Sequence, residues 1–290
     1  MNTQNQTHVH WLNLYRIRHH ILVGWRYLIL TLIVVILLTP LYWMVATSLK
    51  SSEQTFALPP AWIPHPLRWR NYVDIFIQVP FGRFLINTLI LECWIILGQL
   101  FSSAVVGYGF ARLRFPGRNV LFLLLLSTLM IPYQVTLVPR FILFTKLGWI
   151  NTYLPFIVPA FMGNAFLIFL VRQYMMSIPF DLDEAATIDG ANRFQIFWHI
   201  VLPIAKPALV LVVVFTFVDV WNDFLGPLIY LNDTEKFTVA LGLNFFRGAR
   251  ETSWELLMAA ATLATVPPTL LFFFMQKQLI GGIASVGLKG

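Results

Sequence analysis

The chain has 290 residues, of which 58% are hydrophobic and 11% are charged, and its mean hydropathy is +0.72. A soluble domain carries roughly 25% charged residues, so this composition predicts a polytopic membrane protein without a soluble catalytic domain. The net charge of +7 comes from scattered lysines and arginines, and the lack of a basic block argues against a nucleic-acid partner. The single cysteine, Cys93, excludes an intrachain disulfide.

The N-terminal tail, residues 1–26, holds four of the six histidines, but their spacing does not indicate a metal site, and we predict no metal site elsewhere. The apolar run that follows is too long for a signal-peptide core, and we interpret it as a retained span. It is the first of six runs that approach the ~20 residues needed to cross a bilayer, namely residues 27–47, 85–111, 120–138, 152–171, 208–231 and 254–275.

Six spans place both termini on one side of the membrane. Eleven of the 20 lysines and arginines fall on the side of the N-terminus, a weak bias that indicates cytoplasmic termini. We therefore predict an all-α membrane protein with six transmembrane helices, a membrane domain from 27 to 290, and a C-terminal cytoplasmic tail within it from about residue 277.

A polar segment, approximately residues 172–207, separates the fourth and fifth runs. It contains Glu184-Ala185-Ala186-Thr187-Ile188-Asp189-Gly190-Ala191 and then Ile200-Val201-Leu202-Pro203. Asp181 and Glu184 have the spacing of a capping box, which predicts that a helix starts here. Gly190 predicts that this helix stops through a positive φ, and Pro203 and Pro207 suit the starts of new helices.

Within this segment Leu182, Ala185, Ala186 and Asp189 are spaced to share one helix face. The two alanines would leave a thin, smooth surface for the groove of another protein. We predict a short, stiff helix outside the membrane that acts as a lever. The alternative is an ordinary solvated helical hairpin between two spans.

The spacing E-A-A, three residues, G, nine residues, I-x-L-P resembles the cytoplasmic EAA loop of the membrane subunits of binding-protein-dependent ABC importers. Further elements resemble the carbohydrate-uptake class of these permeases, and more narrowly its six-span, maltose-type subunit. They are Thr47-Ser48-Leu49-Lys50, Asn151-Thr152-Tyr153, Trp221-Asn222-Asp223-Phe224, and the tail from Gly281-Gly282 to Gly287-Leu288-Lys289-Gly290.

The resemblance implies a permease subunit that forms half of the pathway for a sugar or oligosaccharide in a bacterial or archaeal inner membrane. Its implied partners are a second permease subunit, two ATPase subunits, an extracytoplasmic substrate-binding protein and membrane lipid. The segment between spans four and five would then be the cytoplasmic coupling helix. The residues that would couple to the ATPase are Glu184, Ala185, Ala186, Asp189, Gly190 and Ala191.

The chain contains no G-x-x-x-x-G-K-[ST] phosphate loop. ATP is therefore expected to be used by the partner ATPase subunits, and this chain is expected to bind no cofactor and to carry no catalytic residue.

Charged side chains inside the spans are candidates for the substrate path, because a charge at mid-bilayer costs ~2.5–3.5 kcal/mol or more. The chain has three, Glu92, Asp219 and Asp223, and the last two are spaced to share one helix face. Asn222 and Asp223 supply the amide and carboxylate groups that sugar hydroxyls require, while Trp221 is expected to pack against a neighbouring helix. We assign Asn222, Asp223 and Glu92 to the path. The alternative for Asn222 and Asp223 is a hydrogen bond to a neighbouring helix or to the partner subunit that fixes packing, and the alternative for Glu92 is a structural pair with a basic residue of another helix.

The outer segment, residues 232–255, mixes charged residues with phenylalanines. In the family, the matching loop reaches into the cleft of the binding protein. The resemblance therefore implies that Asn244 and Arg247 contact the binding protein.

Rival functions are a permease for glycerol 3-phosphate, which would look very similar, and an ion-coupled secondary transporter. Phosphate would favour arginines in the path, and no arginine lies inside a predicted span, which favours a neutral sugar. An ion-coupled transporter would need paired half-helices and a relay of acidic or histidine residues, which three scattered carboxylates do not provide. A membrane-embedded enzyme would need a nucleophile–base motif that the sequence lacks.

Overall fold

The computed structural model describes residues 3–247 and 252–287, with the side chains of 23–247 and 252–277. Every regular element in this part of the chain is a helix, which confirms the predicted all-α class, and the β structure within it is an isolated bridge between Arg247 and Thr252. The α-helices are α1 (Thr3–Ser48), α2 (Ser52–Thr55), α3 (Asn71–Gln78), α4 (Phe81–Arg112), α5 (Arg118–Ser127), α6 (Tyr133–Lys146), α7 (Leu154–Met162), α8 (Ala165–Ser177), α9 (Asp181–Ile188), α10 (Arg193–Ile196), α11 (Leu202–Ile204), α12 (Lys206–Asn222), α13 (Leu225–Tyr230), α14 (Val239–Gly242) and α15 (Trp254–Gly287). Short 3-10 helices cover Thr128–Met130, Thr234–Lys236 and Leu243–Phe246, and a π-helical turn covers Phe197–Val201.

Helical segments of sufficient length and apolarity to cross a membrane match four of the predicted runs. Among the described residues they are Val23–Ser48, Phe81–Arg112, Leu154–Ser177 and Trp254–Lys277. Two bent helix pairs, Arg118–Met130 with Tyr133–Lys146 and Arg193–Ile204 with Lys206–Asn222, pass the same test when each pair is taken together. The described chain therefore has four to six spans.

The third predicted run, 120–138, is not one straight helix. Its two halves meet at an angle of 97°. The break lies at Ile131 and Pro132, whose backbones are extended, with ψ of 111° and 139°. Proline disfavours the helical region for the residue before it, so Pro132 accounts for the extended Ile131 and hence for the break.

Two predicted boundaries differ from the helix ends. The predicted tail, residues 1–26, is helical from Thr3 and continuous with the first span. The predicted coupling segment begins near residue 172, but α8 continues to Ser177.

The chain divides into two units, Met1–Tyr72 with Ser253–Thr262, and Val73–Thr252 with Leu263–Gly290. In the first unit, buried polar groups close the turn after α1. Asn71 donates from Nδ2 to the carbonyl oxygens of Ser48 and Lys50, each at 2.8 Å. The Lys50 ammonium lies 3.9 Å from the centroid of the Trp43 ring, and burial lowers the pKa of this ammonium. The Thr47-Ser48-Leu49-Lys50 stretch thus has a structural role in this turn.

In the second unit, α4 packs against α7, α8 and α12. Small residues on α4 allow the close approach that membrane helices require. A Cβ atom at Gly98 would lie 3.0 Å from the Ala160 backbone, and a Cβ atom at Gly107 would lie 3.0 Å from the Val171 side chain. Ser102 adds a hydrogen bond from Oγ to the Ala160 carbonyl at 3.1 Å. This tight packing makes α4 the central helix of the unit.

Candidate functional site

The polar segment forms a short helix, α9, whose start differs from the prediction. Asp181 is the first helical residue and does not cap the helix with its side chain. Instead the backbone amides of Asp183 and Glu184 donate to the Phe180 carbonyl at 2.9 Å and 3.1 Å. The predicted capping box is therefore wrong. The carboxylates of Asp181, Asp183 and Glu184 lie in the first turn, where the helix dipole favours negative charge.

The end of α9 confirms the predicted role of Gly190. Its φ is +86°, and a Cβ atom would meet nothing within 4 Å, so the backbone conformation alone selects glycine. The amide of Gly190 donates to the Thr187 carbonyl at 3.1 Å, and the amide of Ala191 donates to the Ala186 carbonyl at 2.9 Å. This pair of bonds is a Schellman motif, which satisfies carbonyls that the helix end leaves unpaired.

The side chains of α9 divide between the core and the surface. Ala186 and Asp183 are buried, whereas Glu184, Ala185 and Asp189 are exposed. Of the predicted shared face, Leu182, Ala185 and Asp189 are exposed, but Ala186 packs into the hydrophobic core of the unit. Ile188, which none of the sequence motifs singled out, is 86% exposed at the end of this polar helix. An exposed isoleucine next to Gly190 is the available signal for a contact surface.

Beyond α9, Asn192 and Gln195 form a capping box at the start of α10. The π-helical turn and α11 follow, and the direction of the chain changes by 72° before α12. Pro203 and Pro207 lie in the first turns of α11 and α12, which confirms their predicted positions.

An open cleft of about 730 Å³ lies beside α9. One wall is the Arg112–Phe115 turn after α4, and the other includes Phe180, Asp183 and Arg193. Arg112 is buried there and lies 3.6 Å from the Asp183 carboxylate. Arg112 and Asp183 lie far apart in the chain and no short motif contains both, so sequence patterns alone do not connect them.

The acidic residues of the spans are placed differently from the prediction. α12 ends at Asn222, and Asp223 has an extended backbone with φ of −68° and ψ of 107°. The predicted pair of Asp219 and Asp223 therefore spans the end of α12, with Asp219 in its last turn and Asp223 as the first residue after it. The Oδ1 atom of Asp223 accepts a hydrogen bond from the Gly226 amide at 3.0 Å, so this carboxylate contacts the first turn of α13.

Glu92 lies on α4, is 3% exposed, and neither carboxylate oxygen has a hydrogen-bond partner among the described residues. The side-chain amide of Asn222 is exposed and donates to the Val218 carbonyl at 2.7 Å. α4 and α12 pack side by side, so Glu92 and Asn222 lie on neighbouring helices.

Trp221 packs against a neighbouring helix, as predicted. Its side chain is 5% exposed, and its Nε1 donates to the Ala264 carbonyl of α15 at 3.1 Å. Its ring stacks on Phe217 with 5.3 Å between centroids.

The outer segment is anchored at its start. Asn87 donates from Nδ2 to the carbonyls of Glu235 and Phe237 at 2.7 Å and 2.9 Å. Asn151, at a φ of +61°, donates to the Asp233 carboxylate at 2.7 Å and accepts from the Asp233 amide at 3.1 Å. The side-chain hydrogen bond from Asn151 lowers the pKa of the Asp233 carboxyl the most, and a side-chain hydrogen bond from Lys236 lowers it further. Asparagine is one of the few residue types that adopt this left-handed conformation, so the asparagine at position 151 was the available signal in the sequence.

Asn244 and Arg247 lie further along this segment, and both are exposed. Asn244 belongs to the 3-10 helix that ends at Phe246, and Arg247 pairs with Thr252. Residues 248–251, which include Arg250 and Glu251 of the predicted contact segment, lie outside the described residues.

Comparison with known proteins identifies the family. Residues 103–284 match the model of the family described as "Binding-protein-dependent transport system inner membrane component". The chain belongs to this family. Family membership and the apolar helices together make it a multi-pass protein of the inner membrane.

Relatives in this family are permease proteins. The chain is 36% identical to the probable ABC transporter permease protein YurM of Bacillus subtilis (strain 168), over 92% of this chain and 88% of YurM. It is 34% identical to the sn-glycerol-3-phosphate transport system permease protein UgpE of Yersinia pestis, over 86% of this chain and 92% of UgpE. It is 32% identical to the arabinooligosaccharides transport system permease protein AraQ of Bacillus subtilis (strain 168), over 87% of this chain and 91% of AraQ.

A solved structure shares the fold. One chain of a bacterial ABC transporter involved in the import of the acidic polysaccharide alginate superposes with a TM-score of 0.78, covering 89% of this chain and 96% of that chain. The sequence identity is 23%, so this likeness concerns the fold alone.

Proposed function

We propose that this chain is a permease subunit of an ATP-driven ABC importer and that its substrate is a sugar or an oligosaccharide. The observation that carries the substrate class is the likeness to AraQ, which extends over most of both chains. In this proposal the chain forms half of the pathway and itself binds no cofactor. A second permease subunit forms the other half, two ATPase subunits use the ATP, and a substrate-binding protein delivers the sugar from outside.

A permease for glycerol 3-phosphate is the second candidate, because the likeness to UgpE is as strong. The structure also weakens one argument against it. Arg140 lies inside α6, within a bent pair that qualifies as a span, although the predicted span ended at residue 138. Its guanidinium lies 5.3 Å from the centroid of the Tyr133 ring. An arginine in a candidate span is compatible with a phosphorylated substrate.

Uptake separates the two candidates. The complex is purified with this chain as the tagged subunit and reconstituted into vesicles, with the binding protein outside and ATP inside. ATP-dependent uptake of labelled arabino-oligosaccharides supports the sugar proposal. Uptake of sn-glycerol 3-phosphate that is lost in Arg140→Gln supports the second candidate. A complex that hydrolyses ATP and transports neither substrate contradicts both.

For the topology we propose six spans, each bent pair counting as one, with both termini and α9 in the cytoplasm. The first 26 residues would extend this cytoplasmic side, and its other large parts would be residues 277–290 and the part of the predicted coupling segment, 172–207, that lies between the fourth and fifth spans. Single cysteines in a Cys93→Ser background test the proposal at Ile188 and Thr234, both of which are exposed. A membrane-impermeant maleimide should label Thr234→Cys in intact cells and Ile188→Cys only after permeabilisation. Labelling of Ile188→Cys in intact cells contradicts the topology.

We propose that α9 and its glycine turn bind a groove of the ATPase through Glu184, Ala185, Asp189, Gly190 and Ala191. The exposure of Glu184, Ala185, Asp189 and Gly190, together with that of the adjacent Ile188, supports the proposal, while Ala191 is half-buried. Ala186 would act from inside by holding the helix on the core.

On the opposite side, Asn244 and Arg247 would contact the binding protein. Both are exposed, and they follow the start of the outer segment, which Asn87 holds through the Glu235 carbonyl. For the substrate path we propose Asn222, Asp223 and Glu92. The unpaired oxygens of Glu92 support its assignment, because a buried polar group without a partner is costly.

A further inference from the structure

The C-terminal end of α4 carries two buried residues one helical turn apart, Tyr108 and Arg112. Residues spaced by four lie on the same face of a helix, so both side chains project toward the same neighbour. That neighbour is the polar segment that contains α9. Each residue contacts one end of the segment.

Arg112 contacts the start of α9 in three ways. Its Nη2 donates to the Ile178 carbonyl at 2.8 Å. Its guanidinium lies 4.4 Å from the centroid of the Phe180 ring, and its Nη1 lies 3.6 Å from the Asp183 carboxylate. The side chain of Arg112 is 0% exposed and that of Asp183 is 4% exposed, so water screens the ion pair little.

Tyr108 contacts the far side of the same segment. Its hydroxyl donates to the Arg193 carbonyl at 3.1 Å, and its ring centroid lies 4.9 Å from that of Phe197. The Schellman motif at Gly190 lies between the two contacts. A displacement of α9 is therefore resisted at both ends by a single helix, α4.

We propose that Arg112 is the positioning residue through which a movement of α9 is transmitted to α4 and so to the groups along its length, including Glu92. This inference rests on the proposed coupling function of α9. A planar guanidinium can contact the Ile178 carbonyl, the Phe180 ring and the Asp183 carboxylate at the same time, whereas the compact ammonium of lysine cannot. Arg112 thus sets the angle between the lever and the central helix.

The test compares transport with ATP hydrolysis in the reconstituted complex. In Arg112→Met, the amount of substrate transported per ATP hydrolysed should fall about tenfold or more. The substitution leaves Asp183 as an unpaired buried charge and removes the contacts through which a movement of α9 would displace α4. ATP hydrolysis should stay within about twofold of the wild type, since the ATPase-facing surface of α9 is unchanged. Arg112→Lys should give an intermediate ratio, because it keeps the charge and loses the bonded geometry.

Arg114→Met is the matched control. Arg114 lines the same cleft but is exposed, and its loss should leave the ratio of transport to hydrolysis unchanged. If Arg112→Met does not assemble, Arg112→Lys decides the question, because it keeps a cation beside Asp183. An assembled Arg112→Lys complex with the wild-type ratio overturns the inference. So does a parallel fall of transport and hydrolysis, which a purely structural role would give.

The result is separable from that of the proposed function. A wild-type complex that transports substrate supports the permease assignment whatever Arg112 does. A wild-type complex that transports nothing refutes the assignment, whereas a normal ratio in the Arg112 variants refutes only the role of this residue.

Discussion

Gly190 is the residue on which the geometry at the end of α9, the proposed lever, depends. Its φ of +86° lies in the left-handed region, where a residue with a Cβ atom costs about 1–2 kcal/mol. We expect Gly190→Val to disrupt the Schellman motif, to tilt the end of α9 and to lower uptake per assembled complex about tenfold. The measurement is substrate uptake, normalised to the amount of complex in the vesicles.

Gly117→Val is the control for that variant. Gly117 has a φ of +76°, and a Cβ atom there also meets nothing within 4 Å, but the residue lies in the turn before α5. It carries the same backbone strain outside the lever. Normal uptake in Gly190→Val, or an equal loss in both variants, would contradict a specific role for Gly190.

Asp233 makes the anchor of the outer segment sensitive to acid. Its hydrogen bonds from Asn151 and Lys236 hold the pKa of the carboxyl below its ordinary value. The charged form is therefore stabilising above the ordinary pKa of about 3.9, and the stabilisation is lost as the pH falls through the lower pKa of the folded protein. Hydrogen exchange of the amides of residues 232–236, corrected for intrinsic rates, should show more protection in the wild type than in Asp233→Ala at neutral pH. This difference should vanish at low pH, and a difference that does not depend on pH would contradict the assignment.

Single residues also show where sequence reasoning succeeds. Gly190 was predictable because one backbone conformation requires one residue type. The start of α9 was not, since Asp181 and Glu184 have the spacing of a cap but the Phe180 carbonyl already accepts the first amides. The Arg112–Asp183 pair was not predictable, because tertiary packing alone brings these residues together.

At the scale of elements, α12 and α15 are held together by Trp221. We expect Trp221→Ala to lower the yield and melting temperature of the complex, because truncation of a large buried side chain costs about 3–5 kcal/mol. Trp221→Phe keeps an aromatic ring beside Phe217 but loses the hydrogen bond to Ala264, about 1 kcal/mol, and part of the buried ring, so its melting temperature should lie between those of the wild type and Trp221→Ala. Asn222 is exposed, so Asn222→Ala should leave the yield normal and instead lower uptake. The comparison requires thermal melting and uptake of the three variants side by side, and equal melting of Trp221→Ala and wild type would contradict the packing role.

The breaks within the spans show the limit of hydropathy as a guide to elements. Apolar composition predicted a single run over 120–138 and another over 208–231. Both are interrupted, the first at Ile131 and Pro132 and the second at Asp223. The proline was a readable signal, because it restricts the residue before it. The second break depends on the hydrogen bond from Gly226 to Asp223, which composition does not reveal.

At the scale of the whole molecule, the division of labour in the proposed importer yields a direct test. The sequence lacks a phosphate loop, so the purified chain should hydrolyse ATP no faster than a detergent blank. The assembled complex should hydrolyse it, and the binding protein with its substrate should increase the rate. Steady hydrolysis by the isolated chain, after removal of co-purifying ATPase, would contradict the assignment.

The first span has a further consequence, for the life of the protein in the cell. Residues 24–42 of α1 are exposed on every side within the described part of the chain, and none of the most apolar stretch of this helix is buried. A newly synthesised copy therefore enters the bilayer with a first helix whose most apolar stretch is not covered by its own unit. We expect membrane proteases to degrade a copy whose first helix is not yet covered by another chain. In the proposed importer, the abundance of this subunit should consequently follow the supply of the second permease subunit rather than its own rate of synthesis.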